Sequence, residues 1–249
     1  MEGRQYNSSC VNLNTIVLDL SANDLSHLDV ELIVDKVNQY SIPVTLNLAR
    51  NNLGSRGASG LLLAFNESIC ILRGLDLTAN NIDTLTPDVI WHFIANTNSL
   101  TALILDNNPL DTPNGISPTI STILIALGVN SSLTYLSLKN IKLQNDHIDL
   151  LIKSVENNKT LKILDLRGST DKLCGVKIAA LKEIISKKKE ITLLISNKLI
   201  RDNLISQTKD CSTSQSSTRY SQYLFTKMKS PKDIDIVLQD SNCNSVCKF

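Results

Sequence analysis

The chain has 249 residues, of which 42% are hydrophobic and 4% aromatic, and its formal net charge is +1 at pH 7. This composition excludes a disordered chain, because it supplies enough apolar surface to bury a core. No apolar run approaches the length of a membrane span and the opening MEGRQYNSSC is no secretory signal, so we expect a cytoplasmic protein.

The first recognisable elements in chain order are leucine pairs, as in LDLSANDL at 18–25 and LNLARNNL at 46–53. The pairs recur at steps of 28, 29, 28, 33, 28 and 29 residues. They are Leu18/Leu20, Leu46/Leu48, Leu75/Leu77, Leu103/Leu105, Leu136/Leu138, Leu164/Leu166 and Leu193/Ile195. A period of this length is typical of stacked repeats, and the alternation places both leucines on one face of a short strand.

Asparagines follow the first four strands at one fixed position. They are Asn23, Asn51, Asn80 and Asn108. An asparagine side chain both donates and accepts, so it can bond the backbone of a sharp turn from inside, which predicts a structural role. Ile141, Ser169 and Lys198 stand at the equivalent positions of the last three turns, which we therefore expect to be looser or differently formed.

Segments with helical spacing lie between the strands, at 86–98, 145–158 and 173–189. The first has Thr86 and then Pro87, a helix start signal. The second has Asp146 near its start and Ile148, Leu151 and Val155 on one face. One strand and one helix per 28 or 29 residues predict an α/β solenoid of about seven repeats. This would be an open horseshoe with a parallel β-sheet on its concave face and helices on its convex face.

These units resemble leucine-rich repeats of the ribonuclease-inhibitor-like class, over about residues 11–201. The resemblance implies a horseshoe at 1–201, followed by a polar linker and C-terminal tail at 202–249 that is partly disordered or capping. The class includes inhibitors, a GTPase-activating protein, actin-capping proteins and bacterial effectors, so the fold does not choose among functions.

Two segments interrupt the repeats. The first, NNPLDTPNGISPTI at 107–120, is rich in turn formers and predicts a projecting loop, either neutral or in contact with a partner. The second begins at Asp202, where the periodicity stops and a Ser/Thr-rich linker follows. Beyond it, YLFTKM and DIDIVL are apolar enough to pack against the last repeat as a cap.

Most candidate partner-binding residues lie between or just after the buried leucines on the concave face, with Arg50 and Tyr135 nearby and Lys162 on a late strand. The candidates are Asp19, Asn47, Arg50, Asp76, Thr78, Asp106, Tyr135, Lys139, Lys162, Asp165 and Arg167. Residues 1–138 carry 5 basic and 12 acidic side chains, whereas residues 139–201 carry 14 basic and 7 acidic ones. We therefore expect a protein partner with an acidic surface, oriented by a bipolar field and bound by the concave face and the basic end.

The sequence favours a non-enzymatic binding module. It contains no phosphate-binding loop, no nucleophile elbow and no zinc-protease motif, and its six cysteines and three histidines form no metal-ligand cluster. We predict no cofactor, no metal and no small-molecule substrate. The alternatives are a GTPase-activating or other regulatory protein of the same class, and a binder of a ribonucleoprotein surface; the basic third lacks interleaved aromatic residues for stacking on bare nucleic acid.

The abundance of Asn, Ile, Lys and Ser indicates an AT-rich genome, of a protozoan or an intracellular bacterium. The ending DSNCNSVCKF resembles the C-terminal signals of bacterial type IV effectors. This resemblance implies an alternative location, in which a bacterium secretes the protein into a host cytosol. Four N-x-S/T sequons, at Asn7, Asn66, Asn130 and Asn158, are expected by chance in such a composition and are not interpreted as glycosylation sites.

Overall fold

The computed structural model describes residues 15–110, 117–171, 173–188, 190–196, 235–239 and 246–248. Strands and helices alternate from residue 15 to residue 194. The strands are β1 (Thr15–Asp19), β2 (Val44–Asn47), β3 (Leu72–Asp76), β4 (Ala102–Ile104), β5 (Tyr135–Ser137), β6 (Ile163–Asp165), β7 (Thr192–Leu194), β8 (Asp235–Gln239) and β9 (Val246–Lys248). The helices are α1 (Val30–Asn38), α2 (Gly54–Glu67), α3 (Pro87–Asn96), α4 (Pro118–Val129), α5 (Asn145–Asn157) and α6 (Gly175–Lys187).

Strands β1 to β7 form a parallel sheet in chain order. The first leucines of successive pairs are cross-strand partners, as in Leu18 with Leu46 and Leu46 with Leu75. The register continues in the same way to Leu193 on β7. The α/β prediction with one parallel sheet is confirmed, and the architecture is repeat-like.

The six α-helices of the described residues form a second layer, in which each helix packs on the next, and a short 3-10 helix (His27–Asp29) precedes α1. Both leucines of the first six pairs are buried in one continuous core between the sheet and the helices. Full burial of one leucine side chain contributes roughly 1.5–3 kcal/mol, so this repeated pair supplies much of the driving force for folding. The last pair, Leu193 and Ile195, is only half-buried against that core.

The predicted helix starts agree with the structure. Helix α3 begins at Pro87, and α5 spans Asn145–Asn157 as the spacing predicts. Helix α4 also begins with a proline, and the Ser117 side chain caps it by accepting a bond from the backbone N–H of Ile120. Among the described residues, no helix is long and apolar enough to cross a membrane.

The C-terminal strands lie beside the first strand of the sheet. Strand β8 pairs antiparallel with β1, and β9 pairs with β8. The expectation that DIDIVL packs against the last repeat is therefore wrong. The parallel sheet leaves one edge of β1 for a further strand, and β8 pairs with that edge. YLFTKM and residues 111–116 of the insertion lie outside the described residues.

The asparagine ladder is present in the turns, at Asn51, Asn80 and Asn108. Asn80 is fully buried, and its amide donates to Leu48 O at 2.8 Å. Its own backbone N–H donates to Asn108 Oδ1 at 2.9 Å, so each turn is bonded by the next asparagine along the chain. Asn23 differs from the expectation, because its side chain is exposed and, within the part of the chain that the structure describes, donates only to Ser21 O in its own turn.

The later turns are bonded by other side chains. Ser169 Oγ accepts from Ile141 N at 2.9 Å and donates to Leu138 O at 2.5 Å, so a hydroxyl takes over both functions of an asparagine amide. This turn is differently formed, as expected. Lys198 lies outside the described residues.

A second set of asparagines fixes the turns between helix and strand. Asn158 donates to Leu127 O at 2.7 Å and accepts from Leu161 N at 2.7 Å. Asn130 does the same one repeat earlier, donating to Ile94 O at 2.7 Å. Both side chains are buried, so these two sequons serve the turns and cannot carry a glycan in the folded chain.

Candidate interaction surface

Three rows of side chains cross the sheet on the face opposite the helices, which we call the polar sheet face. The first row, on the early part of each strand, is Val17, Thr45, Gly74, Ala102, Tyr135, Ile163 and Thr192. The second row is Asp19, Asn47, Asp76, Ile104, Ser137 and Asp165. The third row, just past the strands, is Ser21, Ala49, Thr78, Asp106, Lys139 and Arg167.

The register places Asp19, Asn47, Asp76 and Asp165 in one row. Each of them accepts a bond through Oδ1 from the backbone N–H two residues later. The distances are 2.9 Å for Asp19, 3.0 Å for Asn47, 2.8 Å for Asp76 and 3.2 Å for Asp165. These side chains fix the end of each strand, so their residue type has a structural reason in addition to any role in binding.

Asp106 and Lys139 form an ion pair between neighbouring repeats. Lys139 Nζ lies 2.9 Å from Asp106 Oδ2. Asp106 Oδ1 also accepts from Ser137 Oγ at 2.6 Å and from Lys139 N at 2.8 Å. The carboxylate is only 2% exposed, so the lysine compensates a buried charge instead of standing ready for a partner.

Arg167 pairs within its own strand end. Its Nε lies 2.9 Å from Asp165 Oδ1 and its Nη2 lies 2.6 Å from Asp165 Oδ2, in a two-pronged contact. Asp165 is fully buried, and the bonds to it raise the pKa of the guanidinium. Lys139 and Arg167, the two cations of the third row, are thus both engaged by carboxylates of the same face.

Asp76 has a different environment. Its carboxylate is part-exposed, and among the described residues its donors are the backbone and side chain of Thr78. Burial raises the pKa of this carboxyl to about 6, and the nearby charge of Asp106 adds to the rise, while Thr78 and Lys139 oppose it. Asp76 is therefore a partly desolvated carboxylate for which the described part of the chain forms no ion pair.

An apolar cluster occupies the middle of the polar sheet face. Ala102, Ile104 and Tyr135 pack together and are each 3% exposed, with Ile163 beside them. Burial raises the pKa of Tyr135 to about 12, so this phenol remains neutral. Tyr135 is thus a packed residue of the face and offers little surface for contact.

The other two predicted residues lie away from the rows. Arg50 is exposed in the turn after β2, where it adopts a positive φ of 59°. Lys162 is exposed just before β6, whereas Arg167 lies after it. Five residues of extended chain separate these two by about 16 Å, so the structure does not bring Lys162 together with Lys139 and Arg167.

The sequence reasoning missed both ion pairs and the apolar cluster. A signal existed for each: Asp165 and Arg167 are two residues apart, hence on one side of an extended segment. Asp106 and Lys139 occupy equivalent positions of adjacent repeats, and Ala102, Ile104 and Tyr135 meet across β4 and β5. The repeat register alone would have placed these residues side by side.

One cavity of about 210 Å³ lies at the ends of α2 and α3, away from the rows, and is lined by Cys70 and His92 among others. Burial raises the pKa of the Cys70 thiol, which keeps it protonated and poorly nucleophilic. Among the described residues, no group of three or more His, Cys, Asp or Glu side chains is arranged to hold a metal ion.

Comparison with known proteins assigns no relative. No protein-family model matches the chain, and no curated protein matches it significantly. The functional interpretation therefore depends on the geometry of the polar sheet face.

Proposed function

We propose that this protein is a non-enzymatic leucine-rich repeat module of the ribonuclease-inhibitor-like class, which binds a protein partner through the polar sheet face. The observation that carries the proposal is the register of the three rows. Seven parallel strands hold side chains at fixed spacings, neighbouring strands being about 4.8 Å apart. A broad, rigid face of this kind can recognise a partner without ordering itself at the moment of binding.

The bonding of the face supports this rigidity. The second-row carboxylates and amides hold the strand ends, and two ion pairs hold the third row. A pre-organised polar surface loses little conformational entropy on binding, so even a partner without large aromatic anchors can be bound specifically. The cytosol is the proposed site of action.

Bulky substitutions can show whether the partner binds to the polar sheet face or to the helix layer. Ala49 lies half-exposed in the third row, and Ala179 lies exposed on α6. Ala49→Arg and Ala179→Arg introduce the same side chain on opposite layers. Partners are captured from a eukaryotic lysate with the full chain and each variant, then identified by mass spectrometry.

We expect a partner that is retained by the parent and by Ala179→Arg and lost by Ala49→Arg, with all three proteins showing the same circular dichroism and thermal midpoint. A partner that survives Ala49→Arg but is lost by Ala179→Arg would move the binding surface to the helices. Turnover of a substrate by the purified parent chain would contradict the non-enzymatic part of the proposal.

A further inference from the structure

The charges of the polar sheet face are compensated at one end and not at the other. Asp106 and Asp165, both buried, are neutralised by Lys139 and Arg167. Asp76, which lies between them and the start of the sheet, has no such partner among the described residues. As far as the described residues extend, the face therefore presents a negative charge near its middle that no cation pairs with.

The neighbours of Asp76 across the sheet are neutral. They are Asn47 on β2 and Ile104 on β4. The charged groups that act on it are Asp106 and, in the opposite direction, Lys139, which is already held by Asp106. Water reaches Asp76 only in part, so an added cation would interact with it more strongly than on a fully hydrated surface.

We propose that the polar sheet face recognises a basic side chain, lysine or arginine, of its protein partner through an ion pair with Asp76. The inference rests on the proposed function and names the chemistry of the partner. It replaces the acidic partner expected from the net charge of residues 139–201, because Lys139 and Arg167 are already paired and Lys162 lies away from the three rows.

The raised pKa of Asp76 supports the same assignment. A carboxyl whose ionised form is disfavoured by burial and by a second carboxylate gains more from an incoming cation than an ordinary surface aspartate does. The oxygen that accepts from Thr78 N is retained in Asp76→Asn, so this variant removes the charge and keeps the turn. Asp24, exposed in the turn after β1, provides a matched Asp→Asn control.

The experiment selects binders from a displayed library of short random peptides on the full chain at neutral pH and moderate salt. We expect the selected peptides to share a lysine or arginine. Replacing that arginine by the uncharged isostere citrulline, or Asp76 by asparagine, should each weaken binding by about 10- to 100-fold, the range for a charged hydrogen bond. Combining the two changes should cost little more than either alone, and Asp24→Asn should have no effect.

Two other outcomes are distinguishable. Peptides that are lost by Ala49→Arg, lack a shared basic residue and bind Asp76→Asn as tightly as the parent would overturn this inference and leave the proposed function standing. Peptides that are all indifferent to Ala49→Arg would overturn both.

Discussion

Asn80→Ala tests the asparagine ladder. The alignment of the repeats, on which the other assignments depend, is based on this ladder. The Asn80 side chain is fully buried and makes three bonds to backbone groups. It donates to Leu48 O at 2.8 Å and to Thr78 O at 3.3 Å, and it accepts from Leu53 N at 3.4 Å. Alanine removes all three bonds and leaves a pocket too small and too apolar to hydrate each group well.

A buried polar group that loses its partner costs about 1–3 kcal/mol. The longest of the three bonds is weak, so we expect a total loss of roughly 2–4 kcal/mol in the free energy of unfolding. For a chain of this length, this corresponds to a fall of about 5–15 °C in the thermal midpoint. Chemical unfolding followed by circular dichroism measures the first quantity, and a thermal scan measures the second.

The matched control is Asn52→Ala. Asn52 is exposed, and its side chain accepts one bond from the exposed Asn81 amide at 3.1 Å. We expect a change within about 0.5 kcal/mol for this variant. If Asn80→Ala and Asn52→Ala unfold at the same denaturant concentration as the parent, the asparagine is not buried in the turn and the register of the repeats is wrong.

Two further predictions concern the polar sheet face. The pKa of Asp76 is raised from 3.8 to about 6 in the folded chain, so between these values the native state holds a proton that the unfolded state releases. The contribution of this carboxyl to the free energy of unfolding is therefore fully present below about pH 4 and is lost as pH rises through about 6, by up to about 3 kcal/mol. Every other carboxyl is common to the parent and Asp76→Asn, so the free energy of unfolding of the parent minus that of the variant should fall across this range, and parallel curves would refute the assignment. Lys139→Met should destabilise the chain by roughly 1–3 kcal/mol, because it leaves a buried carboxylate without its cation, whereas Lys162→Met, at an exposed lysine, should change stability by less than about 0.5 kcal/mol. Equal unfolding midpoints for the two lysine variants would show that the ion pair does not stabilise the fold.

The sequence predicted the elements that repeat. The leucine spacing placed Leu46 beside Leu18 and Asp76 beside Asn47, because one strand per repeat leaves no freedom in a parallel register. It also predicted the start of α3 at Pro87, where the ring fixes the first helical φ.

The features that the sequence did not predict depend on contacts that do not recur with the 28- or 29-residue spacing of the leucine pairs. Strand β8 pairs with β1 at a separation of more than 200 residues, and nothing in the repeat pattern connects the tail to the first strand instead of the last. The contact between Lys139 and Asp106 depends on the conformation of the long lysine side chain. The alternation of residues along a strand specifies the face of the sheet on which a side chain lies, and not its conformation. Asn130 and Asn158 were visible only as sequons, although their position three residues before a buried leucine repeats as regularly as the ladder.

Because of ion pairs, the charge counted from the sequence differs from the charge that the polar sheet face offers to a partner. Residues 139–201 have twice as many basic as acidic side chains, yet Lys139 and Arg167 are held by carboxylates of the same face. Other exposed lysines of this part, such as Lys153 and Lys182, lie on the helices α5 and α6. The helix layer therefore contributes to the long-range field of the basic third, whereas Asp76 acts at short range on the opposite face. Salt that screens the field should slow association more than it weakens the bound contact, since a part-buried pair is screened less than exposed charges are.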